Sequence, residues 1–235
     1  GARMMTEKPR SAVILAAGMG TRLADTFSEL PKGFVEIGGE TLIDRSLRLL
    51  AERGIRKSWI VAGHLGHAYH DLAKDRPEVR VIDNPAYAET ESMASLALAL
   101  EHVEEDFLLL ESDLFYEGRA LDAVLDGSAP DVLLASGPTG ATDEVWIEAE
   151  AGQLTAMSKD ASELRSVAGE LVGITRISRE LAMGLAAAYR SFVERHGHGR
   201  MAYETDALVE TAQHHAVEVR VVPDLLWGEV DYERH

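Results

Sequence analysis

The sequence predicts an α/β fold in which a mostly parallel sheet is sandwiched by helices, with a small antiparallel excursion late in the chain. Short apolar runs rich in β-branched residues alternate with longer segments of helical period, which is the rhythm of βαβ units. One later stretch alternates residue by residue, as a strand with one solvated face does. The predicted strands are Ala12 to Leu15, Trp59 to Val61, Val79 to Ile82, Phe107 to Leu110 and Val132 to Leu134. Between the first two, Thr41 is placed as an N-cap with Asp44 three residues on. Leu42, Ile43, Leu47, Leu49 and Leu50 then form a buried stripe, and Gly54 suits the stop. Ser92 to Val103 repeats this design, with Met93, Leu96, Leu100 and Val103 on one face.

In the second half Val145, Ile147 and Ala149 alternate with Trp146, Glu148 and Glu150, and Gly152 breaks the run before Leu154. A strand at Glu170 to Ile174, helices at Ser178 to Glu194 and Tyr203 to His214, and a strand at Val217 to Val222 follow. No repeat or low-complexity linker interrupts this series, so residues 11–235 read as one domain. Residues 1–10 read as a tail, with Gly1 to Arg3 ahead of Met4 and Met5 taken as a cloning remnant.

The 235 residues, 46% hydrophobic and 27% charged, suffice for one substantial core. A net charge of −17 without a basic tract argues against a nucleic-acid partner. The absence of cysteine excludes disulfides, a thiolate nucleophile and cysteine-based metal centres. Apolar runs are strand-sized and no signal-peptide core precedes them, so a cytoplasmic protein without a membrane partner is expected. His64, His67 and His70 invite a zinc site, but at about 100° per residue this spacing spreads them around a helix.

Directly after the first strand, Leu15 to Leu23 reads LAAGMGTRL, where small residues let a backbone bend sharply and expose successive N–H groups to phosphates. A dinucleotide fingerprint would need Gly or Ala at Leu23, and a P-loop would need a Gly-Lys-Ser/Thr ending. Pro31-Lys32-Gly33 then precedes an apolar strand, Phe34 to Ile37, and the turn Gly38-Gly39. Only five of the 23 basic residues are lysines, so Lys32 in this setting is a candidate, with Arg22, to meet one polyphosphate. Gly63 and His64 fall at a strand end, where they are candidates for lining a base pocket.

LAAGMGTRL, PKG and GGETLIDRSLRLL together resemble the nucleotidyltransferases that move NMP from an NTP to a sugar phosphate, phosphocholine or phosphonate. Later segments are similar to the CTP-dependent phosphonate cytidylyltransferases typified by the 2-aminoethylphosphonate enzyme. These are NPAYAETESMASL from Asn84, LLLESDL from Leu108, DEVW from Asp143, MSK from Met157, GELVGIT from Gly169, YE at Tyr203 and WGEVD from Trp227. The resemblance covers nearly the whole chain and implies a Rossmann-like fold of the nucleotide-diphospho-sugar transferase type. It implies a nucleotide site at Ala16, Ala17, Gly18, Met19, Gly20, Thr21, Gly63, Ser92 and Ser112, with Arg22 and Lys32 on the triphosphate. Asp113 and Asp231 would hold Mg²⁺, and Lys159 would help draw the two anions together.

The implied reaction is attack by a phosphonate or phosphate oxygen on the α-phosphorus of CTP, with pyrophosphate leaving. Glu111, two residues from Asp113, is expected to share its face and support it. An amine-bearing acceptor would need an anionic or aromatic pocket, for which Asp143, Trp146, Tyr203 and Glu204 are the candidates. Position 91 departs from the family, whose members usually carry a small or amide residue there. Glu91 puts a carboxylate beside the ribose and base site, where it bears on nucleotide or acceptor preference. Phosphocholine, another phosphate ester or a sugar 1-phosphate is the alternative acceptor. A regulator that kept the fold and lost the chemistry is the reading from another class. Oligomeric state is left open, a homodimer included.

Overall fold

A computed structural model describes residues 7–18 and 30–230. Its strands are β1 (Ser11–Ala16), β2 (Glu36–Ile37), β3 (Glu40–Thr41), β4 (Lys57–Ala62), β5 (Val79–Asp83), β6 (Phe107–Glu111), β7 (Leu114–Tyr116), β8 (Val132–Ser136), β9 (Trp146–Glu150), β10 (Gln153–Ser158), β11 (Gly169–Ile177), β12 (Glu218–Val222) and β13 (Trp227–Glu229). The α-helices are α1 (Leu42–Glu52), α2 (His67–Ala73), α3 (Ser92–Leu100), α4 (Arg119–Leu125), α5 (Arg179–His196) and α6 (Val209–Ala212). Nine strands form one mixed sheet in the order β5-β4-β1-β6-β11-β8-β12-β10-β9. Strand β1 is buried along its whole length between parallel neighbours β4 and β6, which explains its unbroken apolar run.

Alternate residues of the sheet serve two cores. Ala12 and Ile14 pack with Ile43 and Leu50 of α1, Tyr69 of α2 and Leu121 of α4. Val13 and Leu15 pack with Met93 and Leu96 of α3, Leu181 and Leu185 of α5, and Tyr203. Helix α1 begins as the sequence predicts, with the Asp44 N–H donating to Thr41 Oγ1 at 3.1 Å. It ends at Gly54, whose φ of +89° only glycine adopts without strain. No described helix is long and apolar enough to cross a membrane.

The antiparallel part is larger than the alternation at 145–150 indicates. Strand β11 lies between β6 and β8 and runs antiparallel to both, buried on its two faces, so its composition cannot be told from a parallel strand's. Strands β9 and β10 form the expected hairpin, closed by Ala151 and Gly152, both with positive φ. The predicted strand Phe34 to Ile37 divides instead. Lys32–Phe34 is a single 3-10 turn, and only Glu36–Ile37 pairs, with Glu40–Thr41, across two glycines of positive φ. Likewise the helix predicted from Tyr203 opens as a π-turn over Tyr203–Leu208 before α6. An extra residue in a turn of helix re-aims side chains beside functional sites, and here it directs Glu204 toward a cleft.

Candidate active site

Two clefts open at the carboxyl ends of β1 and β6, where open α/β sheets place ligands. Glu111, the last residue of β6, lines both. The first, of about 440 Å³, is bounded by Leu15, Ala17 and Gly18 at the end of β1 and by Asn84, Tyr87, Glu91, Ser92 and Arg200. The second, of about 600 Å³, holds Lys32, Asp113, Asp143, Glu170, Glu204 and Glu229.

The fold explains how distant residues meet. Ser112 and Asp113 form the turn between β6 and β7, and the Ser112 N–H donates to the Leu15 carbonyl at 3.0 Å, tying that turn to β1. The chain returns as β13, which pairs antiparallel with β7 so that Glu229 stands opposite Leu114. The Val230 N–H then donates to the Asp113 carbonyl at 2.9 Å, one residue before Asp231. Trp227 anchors this strand through its indole N–H to Ser136 Oγ at 2.8 Å. On the opposite wall β11 carries an irregularity between Leu171 and Thr175, with Gly173 at φ +92° against Glu111 and Leu114. Such a bulge bends a strand beside a site.

Lys32 is placed by Gly33. A Cβ at Gly33 would lie 2.5 Å from Tyr69 Oη and 3.3 Å from the Ser112 carbonyl, so only glycine lets the 3-10 turn seat against the core. Gly33→Ala is expected to cost about 1–3 kcal/mol by overpacking and to displace Lys32, lowering turnover. Thermal melts and initial rates check this, and Gly33→Ala/Tyr69→Phe should recover part of both by removing the opposing oxygen. Unchanged stability in the single variant would contradict this packing.

The second cleft is strongly acidic. Burial, reinforced by the charges of Glu204, Asp113 and Glu229, holds Glu111 well above the usual carboxylate range. Burial and then Glu229 push Glu204 up to about 8. Glu204 Oε2 is buried and makes no hydrogen bond. Glu229 rises to about 7 through burial and the charges of Asp113 and Asp143, with Lys32 acting the other way. Burial also raises Glu170, whose carboxylate accepts from the Thr139 N–H at 2.8 Å. The donors are all carboxylate oxygens, which suits a hard cation such as Mg²⁺. Among the described residues no group of three His, Asp or Glu side chains is placed to hold a metal ion by itself.

The structure therefore gathers Lys32, Asp113, Asp143 and Glu204 in one cleft, and Ala17, Gly18 and Ser92 in the other. Ala16 is buried on β1. Gly63 is a packing glycine, since a Cβ there would lie 2.7 Å from Tyr87 and 2.9 Å from the Ala17 carbonyl. Three acceptor-side candidates line neither cleft. Tyr203 is 2% exposed and donates its hydroxyl to Thr175 Oγ1 at 2.7 Å, so its ring belongs to the core and offers no open aromatic face. Trp146 lies within the β9 pairing to β10 and β11, and its neighbour Val145 lines the cleft in its place. Lys159 is exposed just past β10 and lines neither cleft. Glu111 meets Asp113 by a different route from the one expected, because Asp113 lies beyond the strand in a turn. Met19, Gly20, Thr21, Arg22 and Asp231 lie outside the described residues. Glu229, Glu170 and Arg200 were not singled out from sequence. The WGEVD segment carries the signal for Glu229 and the GELVGIT segment the one for Glu170, while nothing local marks Arg200.

The profile of the MobA-like NTP transferase domain matches residues 12–191. The CMP-5'-(3-aminopropyl)phosphonate synthase of Streptomyces rubellomurinus is 28% identical over 95% of this chain, which spans 37% of that longer protein. The 2-aminoethylphosphonate cytidylyltransferase of Lancefieldella rimae is 24% identical over 83% of this chain and 77% of its own length. Among solved structures, the inositol-1-phosphate CTP transferase from T. maritima has the same fold, with a TM-score of 0.79 at 19% identity over 96% of this chain and 91% of that one. With the profile matched over most of its length, from β1 into α5, this chain belongs to the MobA-like NTP transferase family.

Proposed function

We propose that this protein transfers CMP from CTP to a small phosphonate, with 2-aminoethylphosphonate the leading acceptor and pyrophosphate the leaving group. One observation carries the reading: a cleft at the end of β1 adjoins a second cleft in which Lys32 stands among carboxylates, Glu111 being common to both. That arrangement provides one place for a nucleotide and a neighbouring place for an acceptor with a cationic tail. The names of the phosphonate relatives support the acceptor class.

The acceptor's phosphonate oxygen is largely ionised near neutral pH, so no general base is required. The residues act by positioning and by offsetting charge. Lys32 meets the triphosphate and favours charge developing on the departing pyrophosphate, with Arg22 as its proposed partner. Asp143, Glu204 and Glu229 face the acceptor and favour an ammonium over a neutral tail. Asp113 and Asp231 would hold Mg²⁺, which when bound draws the two anionic reactants together. A cytoplasmic setting belongs to this proposal.

The test is pyrophosphate release with Mg²⁺, each of the four NTPs, and a panel of 2-aminoethylphosphonate, 2-hydroxyethylphosphonate, phosphocholine, phosphoethanolamine and a sugar 1-phosphate. Turnover is expected with CTP and an aminoalkylphosphonate, with the hydroxyl analogue at least tenfold poorer, a ratio of about 1.4 kcal/mol in the transition state. Turnover confined to phosphocholine or a sugar phosphate would keep the reaction and reject the acceptor.

A further inference from the structure

The proposed reaction leaves Arg200 and Glu91, at the rim of the first cleft, without a role. Glu91 occupies the N-cap position of α3 but makes no side-chain capping bond. Its carboxylate turns instead toward Arg200, with Oε1 3.9 Å from a guanidinium nitrogen, and about half of each side chain stays open to solvent. The pair is therefore loose enough to offer hydrogen bonds to a third group. Its backbone, in contrast, is fixed. The Glu91 N–H donates to the Gly199 carbonyl at 3.2 Å and the Met93 N–H to the Met201 carbonyl at 3.0 Å, so residues 199–201 are laced to the start of α3 on both sides of Arg200. The Arg200 N–H donates to His198 Nδ1 at 3.1 Å. A Cβ at Gly199 would meet Tyr189 Oη at 2.5 Å and Thr90 at 3.0 Å, so this lacing sits tightly on α5.

Resting on the reading that CTP is the nucleotide, we propose that Glu91 and Arg200 form the base-selecting edge of the nucleoside cleft and favour cytosine over uracil. The phosphates belong at the end marked by Gly18 and Glu111, which leaves the base toward the Glu91 rim. Cytosine presents an exocyclic amine that donates, beside N3 and O2, which accept. A carboxylate next to a guanidinium matches that order, with Glu91 accepting from the amine and Arg200 donating to N3, since O2 accepts in uracil as well. Uracil inverts two of these groups. Its O4 would face the carboxylate oxygens and its N3–H would face the guanidinium, so both contacts become repulsive.

The experiment titrates the intact chain with CTP, UTP and 2'-deoxy-CTP by calorimetry, then measures kcat/KM for CTP and UTP with the best acceptor. The parent chain should prefer CTP. Glu91→Gln, whose amide can turn a donor toward O4, should reduce the CTP/UTP ratio by about tenfold or more. Arg200→Ala should weaken CTP while changing UTP little, and Arg200→Lys should restore part of the preference. Equal binding of CTP and UTP by the parent, or an unaltered ratio in Glu91→Gln and Arg200→Ala, would overturn the base assignment and leave the transferase reading intact. Loss of discrimination only against 2'-deoxy-CTP would also overturn it, by assigning the pair to the ribose. CTP-selective binding that both variants erode, without turnover on any acceptor, would uphold the selector and reject the transferase reading.

Discussion

Asp113→Asn is expected to lower CMP transfer by about 10²–10³-fold without lowering the melting temperature. Asp113 stands in the turn at the end of β6, and its charge raises the proton affinity of both Glu111 and Glu229. These carboxylates repel one another in the free protein, so neutralising one relieves the fold while removing an oxygen charge that the proposed reaction would use. Activity falling while stability holds or rises is the behaviour of a site selected for function over stability. Pyrophosphate release and a thermal melt on the same preparation test both halves. Turnover within threefold of the parent would remove Asp113 from the machinery, and a large loss of melting temperature would make it a structural residue.

Glu204 carries the second large effect, on stability against pH. Its folded pKa of about 8 lies above the ordinary value of 4.5, because burial and Glu229 disfavour the charged form. Between those values the folded protein holds a proton that the unfolded chain has released. The contribution of this carboxyl to stability is therefore fully present below about pH 4.5 and is lost as pH rises toward 8, at up to about 1.4 kcal/mol per pH unit for one proton. Glu229 adds to the slope in the same direction, but it is exposed and solvent screening reduces its share. Urea denaturation at pH 5, 6, 7 and 8 should show this decline in the free protein, and Glu204→Gln should flatten it and stabilise the chain most at pH 8. A slope unchanged by Glu204→Gln would mean that this carboxyl is well solvated. Because the proposed function sets Glu204 against the acceptor, the same variant is expected to raise KM for an amine-bearing acceptor more than it lowers kcat.

Much of the fold is legible in the sequence because its signals are local. The β1 run, the Thr41 cap, the α1 stripe and Gly54 depend on neighbours within a few residues, and each falls where expected. The 3-10 turn at Lys32–Phe34 is not legible because its conformation is set by Tyr69 and Ser112, distant in sequence, pressing on Gly33. The same holds for Tyr203, whose aromatic ring suits a cation in sequence terms yet is claimed by the core and by Thr175.

The sequence by itself determined the fold class, the glycine-rich character of the first loop, and the places of Lys32 and Asp113 beside glycine-rich or strand-end positions. Those are properties of short segments, set by backbone freedom and hydrophobic period. Only the tertiary structure decided that β11 inserts antiparallel between β6 and β8, that β13 brings Glu229 to Asp113, and that Arg200 meets Glu91. Each of those pairings joins residues tens to more than a hundred positions apart, where no local periodicity records the partner and the choice is made by which buried surfaces fit together.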